Sequence, residues 1–99
     1  MHIIEIPPGT NIGTTNSRVT NKGAGSIIGT LYITFATGSA VTISDQPNGA
    51  NAITIMSAGS PTGLYVLPLN AISRSSDWWI STTASVRVVA TTPHPARVI

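Results

Sequence analysis

The side chains that could do acid–base or nucleophilic chemistry are few, and they are scattered along the 99 residues. Glu5, Asp45 and Asp77 are the three carboxylates, and His2 and His94 the two histidines. A general acid and base must converge on one proton within hydrogen-bond reach, and a Ser-His-Asp relay needs three side chains in line. Here the carboxylates sit in separate segments and each histidine in a terminal one, so no catalytic residue is assigned. Two histidines without an adjacent carboxylate, in a chain that lacks cysteine, do not form a metal-ligand set. No metal and no cofactor is expected. Gly23-Ala24-Gly25-Ser26 leads into a strand and does not open a helix, so it offers no amide cradle for phosphate. Asp45 starts the turn Asp45-Gln46-Pro47-Asn48-Gly49, where its carboxylate is expected to accept turn amides, and Asp77 is expected to cap the turn before Trp78. The chain reads as non-enzymatic.

The most informative local feature is Trp78-Trp79. Adjacent residues of a strand point to opposite faces, so the two indoles cannot both enter one core, and one is expected on the outer face. An outward tryptophan serves either as an anchor in a protein interface, where tryptophan is enriched, or as a platform for a sugar. The third possibility is packing under a loop. Single-stranded nucleic acid would need a basic groove beside the aromatics, and the five cations are dispersed. No nucleic-acid partner is expected.

Positioning these residues falls to short strands. Ser26 to Ala36 alternates, placing Ile27, Leu31, Ile33 and Phe35 on one face with Gly29 between them, and Ile28, Thr30, Tyr32 and Thr34 on the other. Thr37-Gly38-Ser39 reads as a tight hairpin loop, after which Ala40 to Ser44 returns as an antiparallel partner. Asn51 to Ser57 alternates Ile53 and Ile55 against Thr54 and Met56. Leu64 to Leu67 is a short strand closed by Pro68, which cannot donate to a ladder. Asp77 to Ser81 and Ser85 to Val89 form a last pair around Thr82-Thr83-Ala84. Turn residues every eight to twelve positions with short alternating strands define an all-β domain, a single antiparallel β-sandwich of about seven or eight strands, jelly-roll or immunoglobulin-like. It spans residues 26–90, with an N-terminal arm and loop over 1–25 and a C-terminal arm over 91–99.

Only 8% of the residues are charged, against about a quarter in ordinary soluble domains. Interface cores are depleted of Lys, Glu and Asp, so this composition points to a surface that is partly covered by other subunits; Thr, Ser and Asn are the other source of polarity. Lacking disulfides, a domain this small commonly gains stability by oligomerising. No apolar run reaches the roughly 20 residues that cross a bilayer, and Met1 to Ile6 lacks the basic start of a secretory signal. No membrane partner is expected. The apolar ends, Ile3, Ile4 and Ile6 at one and Val98 and Ile99 at the other, read either as arms that add to a neighbour or as edge strands of their own sandwich.

Residues Ser26 to Val89 resemble the small decoration, or cement, proteins and related minor structural proteins of tailed bacteriophage capsids. The resemblance lies in Gly29-Thr30-Leu31-Tyr32-Ile33-Thr34, Gly38-Ser39-Ala40-Val41-Thr42-Ile43-Ser44-Asp45, the turn Pro61 to Gly63, Tyr65-Val66-Leu67 and Ser85-Val86-Arg87-Val88-Val89. Asp77-Trp78-Trp79-Ile80 and the tail Pro93 to Ile99 depart from it. The resemblance implies a virion protein on the capsid surface, assembled in the bacterial host cytoplasm, with the major capsid protein as partner and self-association as a dimer or trimer. The interface residues expected are Trp78, Trp79, Ile3, Ile4, Ile6, Val98 and Ile99. A carbohydrate- or receptor-binding module and a head–tail or tail structural protein are the alternatives.

Overall fold

The structure, a computed structural model, describes residues 1–11, 17–83 and 85–93. Among the described residues seven strands run in chain order as β1 (His2–Ile6), β2 (Ile27–Phe35), β3 (Val41–Ser44), β4 (Ile53–Met56), β5 (Gly63–Ile72), β6 (Trp79–Thr82) and β7 (Arg87–Thr92). They form two antiparallel sheets, a four-stranded one ordered β1-β7-β2-β5 and a three-stranded one ordered β4-β3-β6. The buried side chains of both sheets, including Ile6, Leu31, Ile33, Phe35, Val41, Ile80, Val86 and Val88, make a single core. The domain is an all-β sandwich, as its turn spacing and alternation require.

The strand order separates the two sandwich types. An immunoglobulin-like domain pairs its first strand with its second. In an eight-stranded jelly roll the first strand pairs with the last, with the third and then the sixth beyond, while the second, seventh, fourth and fifth face them. The order seen here is the jelly-roll order without its second strand among the described residues. Described residues on both sides of 12–16 lie along the edge of β6 that β3 leaves open. The Gly9 amide donates to the Thr83 carbonyl at 3.1 Å, Thr82 to Thr10 at 2.7 Å, and Val19 to Trp78 at 2.8 Å, with an antiparallel bridge between Arg18 and Trp79.

Both hairpins expected from sequence proximity are absent. β2 and β3 belong to different sheets, as do β6 and β7, so each connection crosses the sandwich. The Thr37–Gly38 turn is tied to another loop: the Gly38 amide donates to the Ala58 carbonyl at 3.0 Å, and the Thr37 amide to the Thr62 hydroxyl at 2.9 Å. Alternation identifies a strand and its faces, but a ladder partner is chosen by which pairing buries both apolar faces. By contrast, the turn at Pro47-Asn48 forms as its residues dictate, closed by the Gly49 amide on the Gln46 carbonyl at 3.1 Å.

β5 runs through Pro68 and does not stop there. The amide of Thr30, the register partner of Pro68, donates across to Thr91 Oγ1 at 2.8 Å, on the β7 side. Thr30 and Pro68 are therefore a pair that exchanges no hydrogen bonds, and the proline nitrogen points to the open edge, where no donor is needed. Just beyond, the ladder slips between Ile28 and Thr30, and Asn70 takes a left-handed φ of 48°. The slip changes which face each residue occupies: Ile28 enters the core with Leu31, Ile33 and Phe35, whereas Ile27, expected there, is half-buried. Gly29 is required at this point because a Cβ would stand 2.5 Å from Thr91 Oγ1 and 3.0 Å from the Thr91 carbonyl oxygen.

The N-terminal apolar residues belong to the domain itself. β1 pairs with β7 along its whole length, from His2 opposite Thr92 to Ile6 opposite Val88. Of the arm expected over 1–25, His2–Ile6 is an edge strand, and Gly9, Thr10, Arg18 and Val19 bond along β6 and its ends. At the other end Thr91 and Thr92 lie within β7, and 94–99 fall outside the described residues.

Candidate functional site

Neither tryptophan is exposed: Trp78 retains 8% of its accessible surface and Trp79 7%. Trp78 lies in the core and donates its indole N–H to the Ser26 carbonyl at 3.1 Å. Trp79 alternates away from that core, and its backbone is bridged by Arg18 of the coil. The indole expected on the outer face is buried as well, an outcome that local alternation cannot register because it depends on segments distant in sequence. Ile4 and Ile6 are buried on the inner side of β1, whereas Ile3 points outward and is exposed. Val98 and Ile99 lie outside the described residues.

The carboxylates are each taken up in structure. Asp77 is buried beside Trp78 and holds the coil: its Oδ1 accepts the Gly23 amide at 2.8 Å, the Thr20 hydroxyl at 3.0 Å and the Ser26 hydroxyl at 3.3 Å. Its Oδ2 stands 4.0 Å from Arg18 Nη1. Asp45 does more than begin its own turn, since its Oδ2 accepts the amides of Arg74 and Ser75, at 2.8 and 3.1 Å, in the loop between β5 and β6. These bonds, the Arg74 amide first, hold its carboxyl below the ordinary value of 3.8. Inside the turn the capping carbonyl is Asn48 Oδ1, which accepts the Ala50 amide at 3.0 Å. Glu5 on β1 and Arg87 on β7 form a bidentate pair at 2.8 and 3.0 Å that lowers the Glu5 carboxyl and raises the Arg87 guanidinium. Among the described residues no group of three or more His, Cys, Asp or Glu could hold a metal ion.

What remains exposed and unusual is the outer face of the four-stranded sheet. On β5 the outward residues Leu64, Val66 and Ile72 keep 77%, 57% and 63% of their surface, and Tyr32, opposite Val66 on β2, keeps 47%. Pro68 and Ile3 continue the apolar surface along β5 and onto β1. Across the strands Glu5, Val89, Tyr32 and Val66 form one register row, and Arg87, Thr34 and Leu64 the next. Glu5 and Arg87, already paired with each other, are the charged side chains of this face. At one end, where Thr91 replaces the backbone ladder, a groove of about 420 Å³ opens between Ile27, Asn70 and Pro93. A second, polar hollow of about 480 Å³ lies beside Asp45, Gln46, Asn51 and Arg74.

The outward stripe of Leu64, Val66 and Ile72 alternates through Pro68, so a strand expected to close at that proline separates Ile72 from the other two.

No family model, curated protein or solved structure matches this chain.

Proposed function

We propose that this chain is a non-enzymatic structural subunit of a virion, a decoration protein that binds and stabilises the outer surface of a phage capsid. The observation that supports it best is the outer sheet face, where Leu64, Val66, Ile72 and Tyr32 are exposed together while the chain carries so few charges. Exposing that much apolar surface in a monomer is costly in solubility, and contiguous patches of this kind serve as contacts with other subunits. The sequence resemblance to capsid decoration proteins supplies the kind of assembly. In this reading the tryptophans and the N-terminal strand build the scaffold, and the sheet face is where subunits meet. Repetition over a symmetric shell turns modest individual contacts into tight overall attachment.

Purified tailed-phage particles that carry this gene product are the material for the test. Quantitative mass spectrometry is expected to find the chain in stoichiometric proportion to the major capsid protein, and electron microscopy to place it across the shell. A few copies confined to a neck or tail ring, or none on the particle, would reject the decoration reading.

A further inference from the structure

We infer that the outer face of the β1-β7-β2-β5 sheet is the contact with a second copy of this chain, forming a two-fold dimer face to face. The inference rests on the reading of that face as a subunit contact and names its occupant. Three observations point to a second copy.

The first is charge. A two-fold contact brings each patch against itself, so any net charge on the patch is repelled by its own image. Among the described residues this face carries one acidic and one basic side chain, Glu5 and Arg87, and they neutralise each other in a bidentate pair. The remaining Asp, Glu, Lys and Arg side chains among the described residues, namely Arg18, Lys22, Asp45, Arg74 and Asp77, belong to loops. A face with no net charge does not repel its own image, whereas a charged foreign partner would call for an opposite field.

The second is area. Four strands about 4.8 Å apart, with β5 ten residues long, give a flat footprint of roughly 500 Å². With the relief of its side chains, that is on the order of the 800 Å² per partner in a standard interface.

The third is that the edge is closed to the alternative mode of association. Edge-to-edge pairing of two β5 strands would need a continuous row of amide donors. Pro68 removes one where its nitrogen faces the open edge, and the left-handed Asn70 bends the strand just after. The edge is blunted while the face beside it is left apolar.

The full chain is tested by sedimentation equilibrium over roughly 1–100 μM, the range in which a micromolar dimer dissociates. Twice the chain mass is expected. Val66→Arg, at an exposed outward position, should fold as judged by circular dichroism and weaken association by at least about a hundredfold, because it sets two like charges in a desolvated contact. Leu64→Arg should do the same, so that the test survives if one variant misfolds. Ile53→Arg, equally exposed but on β4 of the other sheet, should leave the dimer intact. A wild-type monomer throughout the range would overturn the inference, as would dimers unaffected by both face variants, or equal dissociation by Ile53→Arg. A monomer that still decorates capsids, losing attachment with Val66→Arg, would give the face to the capsid and leave the proposed function standing. A dimer that never binds particles would do the reverse.

Discussion

Asp77→Ala removes the acceptor that holds the coil segment Arg18 to Ser26 against the start of β6. Three donors converge on Asp77 Oδ1, and they do not depend on it equally. The Ser26 hydroxyl has the Gly23 carbonyl at 2.6 Å as another acceptor, so it redirects at little cost. The Gly23 amide has a fixed direction and loses its partner. The Thr20 hydroxyl loses its acceptor while its oxygen still accepts the Trp78 amide at 3.1 Å, so rotation restores only part of the bonding. Hydrogen bonds to a charged acceptor contribute about 1.5–3 kcal/mol each. Two such bonds, less the desolvation that Asp77 itself no longer bears, put the loss at about 3 kcal/mol. In a domain this small that lowers the melting temperature by about 12–24 °C. Asp77→Asn keeps the Oδ1 acceptor but loses the charge and sets an amide NH2 where Oδ2 faces Arg18, so it should cost less than alanine. Thermal and urea denaturation followed by tryptophan fluorescence measures both, and amide exchange at Gly23 and Val19 should quicken in the alanine variant. A loss under about 1 kcal/mol for alanine, or equal losses for alanine and asparagine, would refute the view that this carboxylate anchors the coil.

Gly29→Ala should destabilise the fold by about 1–3 kcal/mol in urea titration, since its Cβ meets the Thr91 carbonyl as well as the hydroxyl. Adding Thr91→Ala to Gly29→Ala should not restore wild-type stability, because the carbonyl contact stays and the Thr30 amide loses its acceptor. With both indoles buried, folded emission should be blue-shifted and weakly quenched by acrylamide; strong quenching before unfolding would contradict the covering of Trp79. Asp45 and Glu5 have carboxyls held below their ordinary values of 3.8 and 4.5. Their contribution is complete above those values and is lost as pH falls through the lower folded ones, so urea midpoints should decline in acid. Asp45→Asn should flatten the part of that decline below 3.8, and an unchanged slope would count against it.

The reading of β5 shows where local rules run out. A proline inside a strand pattern argues for an end, because a central strand needs its donor. It argues for nothing at an open edge, and whether β5 is an edge depends on strands far away in sequence. The same dependence moved Ile28 into the core in place of Ile27, since a slip against β5 reverses the face of the residues on one side of it. It also gave Asp45 its partners, the amides of Arg74 and Ser75, almost thirty residues away and on no local motif. On the candidate site the divergence is larger. Of the residues expected at an interface, Trp78, Trp79, Ile4 and Ile6 are buried within the chain, Ile3 is exposed, and Val98 and Ile99 lie outside the described residues.

By themselves the residues determined the class of fold, the turn at Pro47-Asn48, the main strands and the scarcity of ionisable groups, because period, turn chemistry and composition are properties of neighbours along the chain. Strand partners, the docking of Gly9, Thr10, Arg18 and Val19 along β6, the burial of both indoles and the apolar face over β5 were decided by the tertiary structure. The physical reason is that burial is shared among segments distant in sequence: a side chain is exposed or covered according to what crosses it, and no local pattern encodes what crosses.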